Sequence, residues 1–127
     1  SNVRMVIEDC GYTSVWDEFA YELKYLFKMP TFPALYNANL ITRIRAGYSL
    51  KKASCIKQIK KSKLPILFIH GDKDKFVPFY MLEKLYEVAG EKKEKLVIQG
   101  AGHAEANLVN PEKYWHIVRK FIKRYIF

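Results

Sequence analysis

The sequence predicts a mixed α/β fold, about three parallel strands with flanking helices, and three observations point to it. The runs at residues 3–8, 66–69 and 95–98 are short, aliphatic and continuous rather than alternating, the pattern of strands covered on both faces. From residue 65 onward such runs alternate with helical periodicities, and right-handed crossovers then set the strands side by side in chain order. Asp9, Asp74 and His103 all fall just beyond the C-terminal ends of the runs, where open parallel sheets bind their ligands.

The first run, at residues 3–8, stops at the turn Asp9-Cys10-Gly11. Ser14 with Asp17 reads as a capping box, and Val15, Phe19, Leu23 and Leu26 recur behind it at helical spacing. Pro30 and Pro33 end that helix, because proline lacks the amide a helix interior requires. Leu35, Ala38, Ile41 and Arg45 mark a second helix that Gly47 closes, and residues 49–63 read as a short basic helix with a loop. After the second strand, Pro78 suits a first helical turn; Leu82, Leu85, Tyr86 and Ala89 supply the buried stripe, and Gly90 the stop. Asn110-Pro111 reads as the N-cap and first turn of a final helix with Tyr114, Val118, Phe121, Ile122 and Tyr125 inward. A sheet of three such strands would leave the first as a long apolar edge, so strands from a preceding half are expected to cover it.

The 127 residues, half of them hydrophobic, suffice for one domain that buries about two thirds of its unfolded surface. No apolar run approaches the roughly 18 residues of a membrane span. The formal charge is +9, with Lys51, Lys52, Lys57, Lys60, Lys61 and Lys63 crowded into one stretch. No nucleic-acid-binding signature accompanies that charge, so a solvated or membrane-facing basic surface is expected and no nucleic acid. A cytoplasmic protein and one held at a membrane by a preceding segment are both compatible with these residues. Cys10 and Cys55 lack metal-ligand spacing and are expected to be free, buried thiols; Cys10 as a nucleophile would need a base beside it.

The chemistry sits in two loops. Gly100-Ala101-Gly102-His103 follows the third run, and His70-Gly71-Asp72-Lys73-Asp74-Lys75-Phe76-Val77-Pro78 follows the second. One offers an imidazole and the other a carboxylate, in the chain order acid then base, and together they form two members of a Ser-His-Asp relay. A histidine base needs a loop that can approach the nucleophile closely, which the glycines permit, and a carboxylate on Nδ1 to fix its tautomer. Asp74 is the favoured acid; Asp72 reads as a tie within the turn, and Asp9 remains an alternative acid. His70 reads as a structural residue of the loop and His116 as a surface or packing residue of the last helix. Glu105 could pair with His103 around a metal, but the sequence shows no third ligand.

At these residues the chain resembles the α/β-hydrolase family. The segment from Ile69 to Pro78 is similar to the family's acid loop, in which the carboxylate three residues before Val77-Pro78, here Asp74, is catalytic. Gly100-Ala101-Gly102-His103 resembles the loop of the catalytic histidine. Val6-Ile7-Glu8-Asp9-Cys10-Gly11-Tyr12-Thr13-Ser14 looks like the sixth strand and following turn of the acyl-ester hydrolase and serine-aminopeptidase-like branch. The resemblance implies that residues 1–127 are the C-terminal half of one α/β-hydrolase domain. Within it, residues 12–62 would make a helical cap-like excursion, its Met29, Phe32, Leu35, Tyr36 and Tyr48 lining an acyl-binding surface.

The same resemblance implies a serine hydrolase of small-molecule carboxylic esters or related acyl bonds, with Asp74 and His103 catalytic and no cofactor or metal required. The nucleophile elbow Gly-x-Ser-x-Gly is absent from these residues. The serine is therefore expected from the protein's own N-terminal half, the isolated fragment is expected to be inactive, and its first strand is expected to pair with that half or to self-associate. Two other readings stay open. One is a non-catalytic interaction domain of the same fold with a basic surface, and the other a relative that uses an aspartate nucleophile.

Overall fold

In the computed structural model, which describes residues 2–126, strand β1 (Val6–Asp9), strand β2 (Ile66–Gly71) and strand β3 (Lys93–Ile98) form one parallel sheet in the order β1-β2-β3. Helices α1 (Val15–Tyr25), α2 (Ala34–Ala46) and α3 (Cys55–Lys61) lie between the first two strands, and α4 (Tyr80–Val88) between the second and third. The short α5 (Ala106–Val109), absent from the expectation, precedes α6 (Pro111–Ile126). The sheet has the expected order and direction, and mutual pairing sets its registers: Val6 lies opposite Ile66, and Ile66 opposite Lys93. Pairing also sets the strand starts, so β1 begins later and β3 earlier than their apolar runs suggest.

β2 is buried at every residue because both of its faces are covered. Leu67 and Ile69 point with Leu96 and Ile98 into a cluster closed by Tyr114, Val118 and Phe121 of α6. On the other face Ile66 and Phe68 meet Leu82, Leu85 and Ala89 of α4, with Ile56 and Ile59 of α3 at the margin. The inward stripes of α4 and α6 therefore match the sequence expectation, with fully buried Met81 added. Asn110 caps α6 by accepting the Lys113 amide at 3.1 Å.

The excursion at residues 12–62 leaves and returns through one neck. Val15 N–H donates to Ala53 O at 3.0 Å, Ile56 N–H donates to Thr13 O at 3.1 Å, and Ser14 and Ser54 form an isolated antiparallel bridge. Ser14 caps α1 as expected, accepting the Asp17 amide at 3.0 Å, while the Asp17 carboxylate takes the Thr13 hydroxyl at 2.7 Å. Lys51 lies over the rings of both Trp16 and Tyr36 and ties α1 to α2. Burial here departs from the periodicity. Phe19, Leu26 and Ile41 are exposed and the buried side chain of α1 is Glu18; in α2 only Leu35 is buried. Among the described residues, no helix is long and apolar enough to cross a membrane.

Candidate active site

The loops after β2 and β3 meet at the C-terminal edge of the sheet because the backbone lets them touch. Asp72 N–H donates to Ile98 O at 3.3 Å, Lys73 N–H donates to Ala101 O at 2.9 Å, and Asp72 Oδ1 accepts the Gly100 amide at 2.6 Å. Gly71 makes this approach feasible: a Cβ there would lie 2.2 Å from Ala101 O, a backbone atom that cannot swing away. Gly100 turns with φ +82°, a conformation that favours glycine. Asp72 is thus the tie between loops.

Asp74 is buried and uses its two oxygens differently. Oδ1 accepts the amides of Phe76 and Val77, both at 2.9 Å, which fixes the carboxylate against its own turn. Oδ2 lies 2.9 Å from Nδ1 of His103, the contact a histidine general base requires to hold its tautomer. With Nδ1–H directed at Asp74, Nε2 carries the lone pair. The His103 side chain is 39 per cent exposed, and its ring lies against Phe76, centroids 5.0 Å apart.

The other candidates have different tasks. His70 is fully buried, and its Nε2–H donates to Val77 O at 2.9 Å, holding the acid loop as a structural residue would. Asp9 accepts the Tyr114 hydroxyl at 2.8 Å and the Cys10 thiol at 3.3 Å, so the carboxylate on His103 Nδ1 is that of Asp74. Glu105 closes its own turn by accepting the Gly102 amide at 2.9 Å. His116 is exposed on α6, in a surface depression of about 720 Å³ that is larger than the cleft at His103 but contains no relay residue.

Both cysteines are free, but only Cys10 is buried; Cys55 is half-buried, which corrects the expectation for it. Burial pushes the Cys10 thiol up to about 12, against the Ala104 amide that its sulfur accepts at 3.3 Å. A thiol held protonated is a poor nucleophile. Donor atoms of Cys10, His70 and Asp74 lie within 4.8 Å of one another, a spacing that metal ligands can have. Here hydrogen bonds engage Cys10 Sγ through Ala104 N–H, His70 Nε2 through Val77 O, and Asp74 through the loop amides and His103, while His70 Nδ1 has no partner among the described residues.

A cleft of about 440 Å³ opens beside His103. The end of β1 contributes Asp9, Cys10 and Tyr12, α1 contributes Val15, Glu18, Phe19 and Glu22, and the two loops contribute Phe76, Val77, His103 and Ala104. Met29, Phe32, Tyr36 and Tyr48 are absent from this lining and exposed elsewhere. Leu35 lines a separate apolar cavity of about 260 Å³ between α1 and α2, which shares Phe19 and Glu22 with the cleft. Sequence reasoning missed Glu18. It is 5 per cent exposed, and neither of its oxygens has a hydrogen-bond partner among the described residues. The available signal was an acidic residue three positions after Val15 and four before Glu22, on the face where an apolar stripe was expected.

No protein-family model matches the chain. The chain is 29 per cent identical over 116 residues to the uncharacterized protein YqkD of Bacillus subtilis, a match covering 91 per cent of the chain and 38 per cent of YqkD. Among solved structures it is similar to an esterase of Pyrococcus furiosus, with TM-score 0.68, 20 per cent identity, and 97 per cent of this chain and 45 per cent of that one covered. It is also similar to the meta-cleavage product hydrolase of Pseudomonas fluorescens IP01, with TM-score 0.52 and 26 per cent identity over 65 per cent of this chain and 29 per cent of that one. The chain spans less than half the length of each. It has the α/β-hydrolase fold, as the resemblance implied, and aligns with less than half of each of those two hydrolase chains.

Proposed function

We propose that this chain supplies the acid and the base of a serine hydrolase acting on carboxylic esters or related acyl bonds. Asp74 and His103 are the catalytic residues it contributes. A serine from the rest of the protein attacks the acyl carbonyl while His103 Nε2 takes its proton. The imidazolium then returns that proton to the leaving group, and water repeats the cycle to release the acid. Asp74 holds the tautomer and stabilises the imidazolium without itself taking the proton. Residues 12–62 act as a cap over the cleft, and β1 pairs along its outer edge with strands of the same protein's preceding half. No metal or cofactor enters this reaction.

The observation that carries the reading is the 2.9 Å contact between Asp74 Oδ2 and His103 Nδ1, made at the rim of a cleft at the C-terminal edge of the sheet. Fluorophosphonate labelling of the full-length protein, followed by peptide mass spectrometry, tests it. Modification of a single serine in a Gly-x-Ser-x-Gly segment, abolished in His103→Ala, is the expected result. A full-length protein that lacks that segment and resists labelling would favour a non-catalytic domain of the same fold.

A further inference from the structure

We propose that the cleft selects acyl substrates that carry a positively charged ammonium group, and that Glu18 is the residue that receives it. This deepens the hydrolase reading above and rests on it for the word substrate, but not for the binding itself.

Four positions of α1, Val15, Glu18, Phe19 and Glu22, line the cleft, and they stand at the spacing of one helix face. Such a face normally buries apolar side chains, yet two of its members are carboxylates. Glu18 is more than nine-tenths buried, and both of its oxygens lack a hydrogen-bond partner among the described residues. A buried carboxylate without a partner is costly in a folded protein and calls for a cation or a donor. The remaining lining agrees with this. Asp9 adds a third carboxylate, and although the chain carries 22 lysines and arginines, none lines the cleft.

The charge balance at Glu18 points the same way. Burial foremost, with Glu22 and Asp74 adding to it and His103 opposing, raises its carboxyl to about 7. Tyr21 on the same helix and Tyr80 on α4 also feel its charge, and neither brings a positive one. A cation in the cleft would offset this repulsion, whereas a carboxylate would add to it. Phe19 and Phe76 leave apolar room for the carbon chain attached to the charge. A short alkylammonium therefore fits where the alkanoate of equal length does not.

The test is a titration of the full-length protein, isotope-labelled at histidine, with n-butylammonium, n-butanol and butanoate, following the His103 ring resonances. Butylammonium is expected to bind at least tenfold tighter than butanol, with butanoate weakest, and Glu18→Gln is expected to bring the ammonium-to-alcohol ratio to within about twofold of one. Equal affinities for the three probes in the wild type would overturn the proposal, whether or not the variant folds. So would a preference that survives Glu18→Gln, or ammonium binding that leaves His103 unmoved. Turnover of neutral p-nitrophenyl butyrate is measured alongside. Its absence would count against the hydrolase reading alone, because the binding ratios do not depend on it.

Discussion

Asp74 shows why a relay acid is more than a negative charge. Two loop amides hold Oδ1, so the carboxylate cannot rotate, and Oδ2 is left directed at His103. In Asp74→Asn the amide carbonyl can still accept those two bonds, which places the NH2 against His103 Nδ1 and drives the ring proton to Nε2. A ring protonated at Nε2 cannot accept the proton of a serine. Ester turnover by the full-length protein should then fall by roughly 10³–10⁴-fold while its thermal midpoint changes little, this being the penalty of the wrong tautomer in such triads. A loss of less than tenfold would place the acid elsewhere, and Asp9→Asn is the comparison that would reveal it. Cys10, 5 per cent exposed with its thiol held up near 12, is expected to resist alkylation by iodoacetamide at pH 7.5 until the protein is unfolded.

At the level of elements, the loops after β2 and β3 are joined through a contact with room for no side chain at Gly71. Gly71→Ala should cost roughly 1–3 kcal/mol in urea unfolding, the range for overpacking a tight site, and should lower turnover through displacement of His103. Wild-type stability in that variant would mean that the loops are separable. The acid and histidine loops were legible in the sequence because their chemistry requires glycine, carboxylate and imidazole at set places after apolar runs. The stripes of α4 and α6 were legible for a simpler reason, since each packs against β2 and β3. The exposure of α2 was not, because helical periodicity at Leu35, Ala38 and Ile41 reports an apolar face and says nothing of what covers it. Glu18 was hidden for the converse reason: a charge in a helix reads as solvated unless its neighbours on the same face are considered.

For the whole molecule, two buried carboxyls make stability depend on pH between the acid and neutral range. Burial outweighs the opposing Gly11 amide at Glu8, and Glu8 and Glu18 both rise from 4.5 to about 7. A carboxyl whose folded pKa exceeds its unfolded value binds more protons when folded, so stability is greatest below about 4.5 and declines until about 7. Urea unfolding of the 127-residue chain at fixed concentration should show a decline of roughly 1–3 kcal/mol per group between pH 5 and 7.5, and Glu8→Gln should flatten part of it. A stability that rises over that range would contradict this. β1 pairs only with β2 among the described residues, so its outer amides and carbonyls are open to another strand. Light scattering of the same chain should accordingly detect association, and a monodisperse, cooperatively melting monomer would show that the edge needs no partner. The relay itself is tested most directly by hydrolysis of p-nitrophenyl butyrate by the full-length protein and its His103→Ala variant, purified side by side. Turnover in the wild type and a loss of roughly 10⁴-fold or more in the variant is the expected result. Undiminished hydrolysis in folded His103→Ala protein would remove His103, and with it the Asp74 contact, from the chemistry.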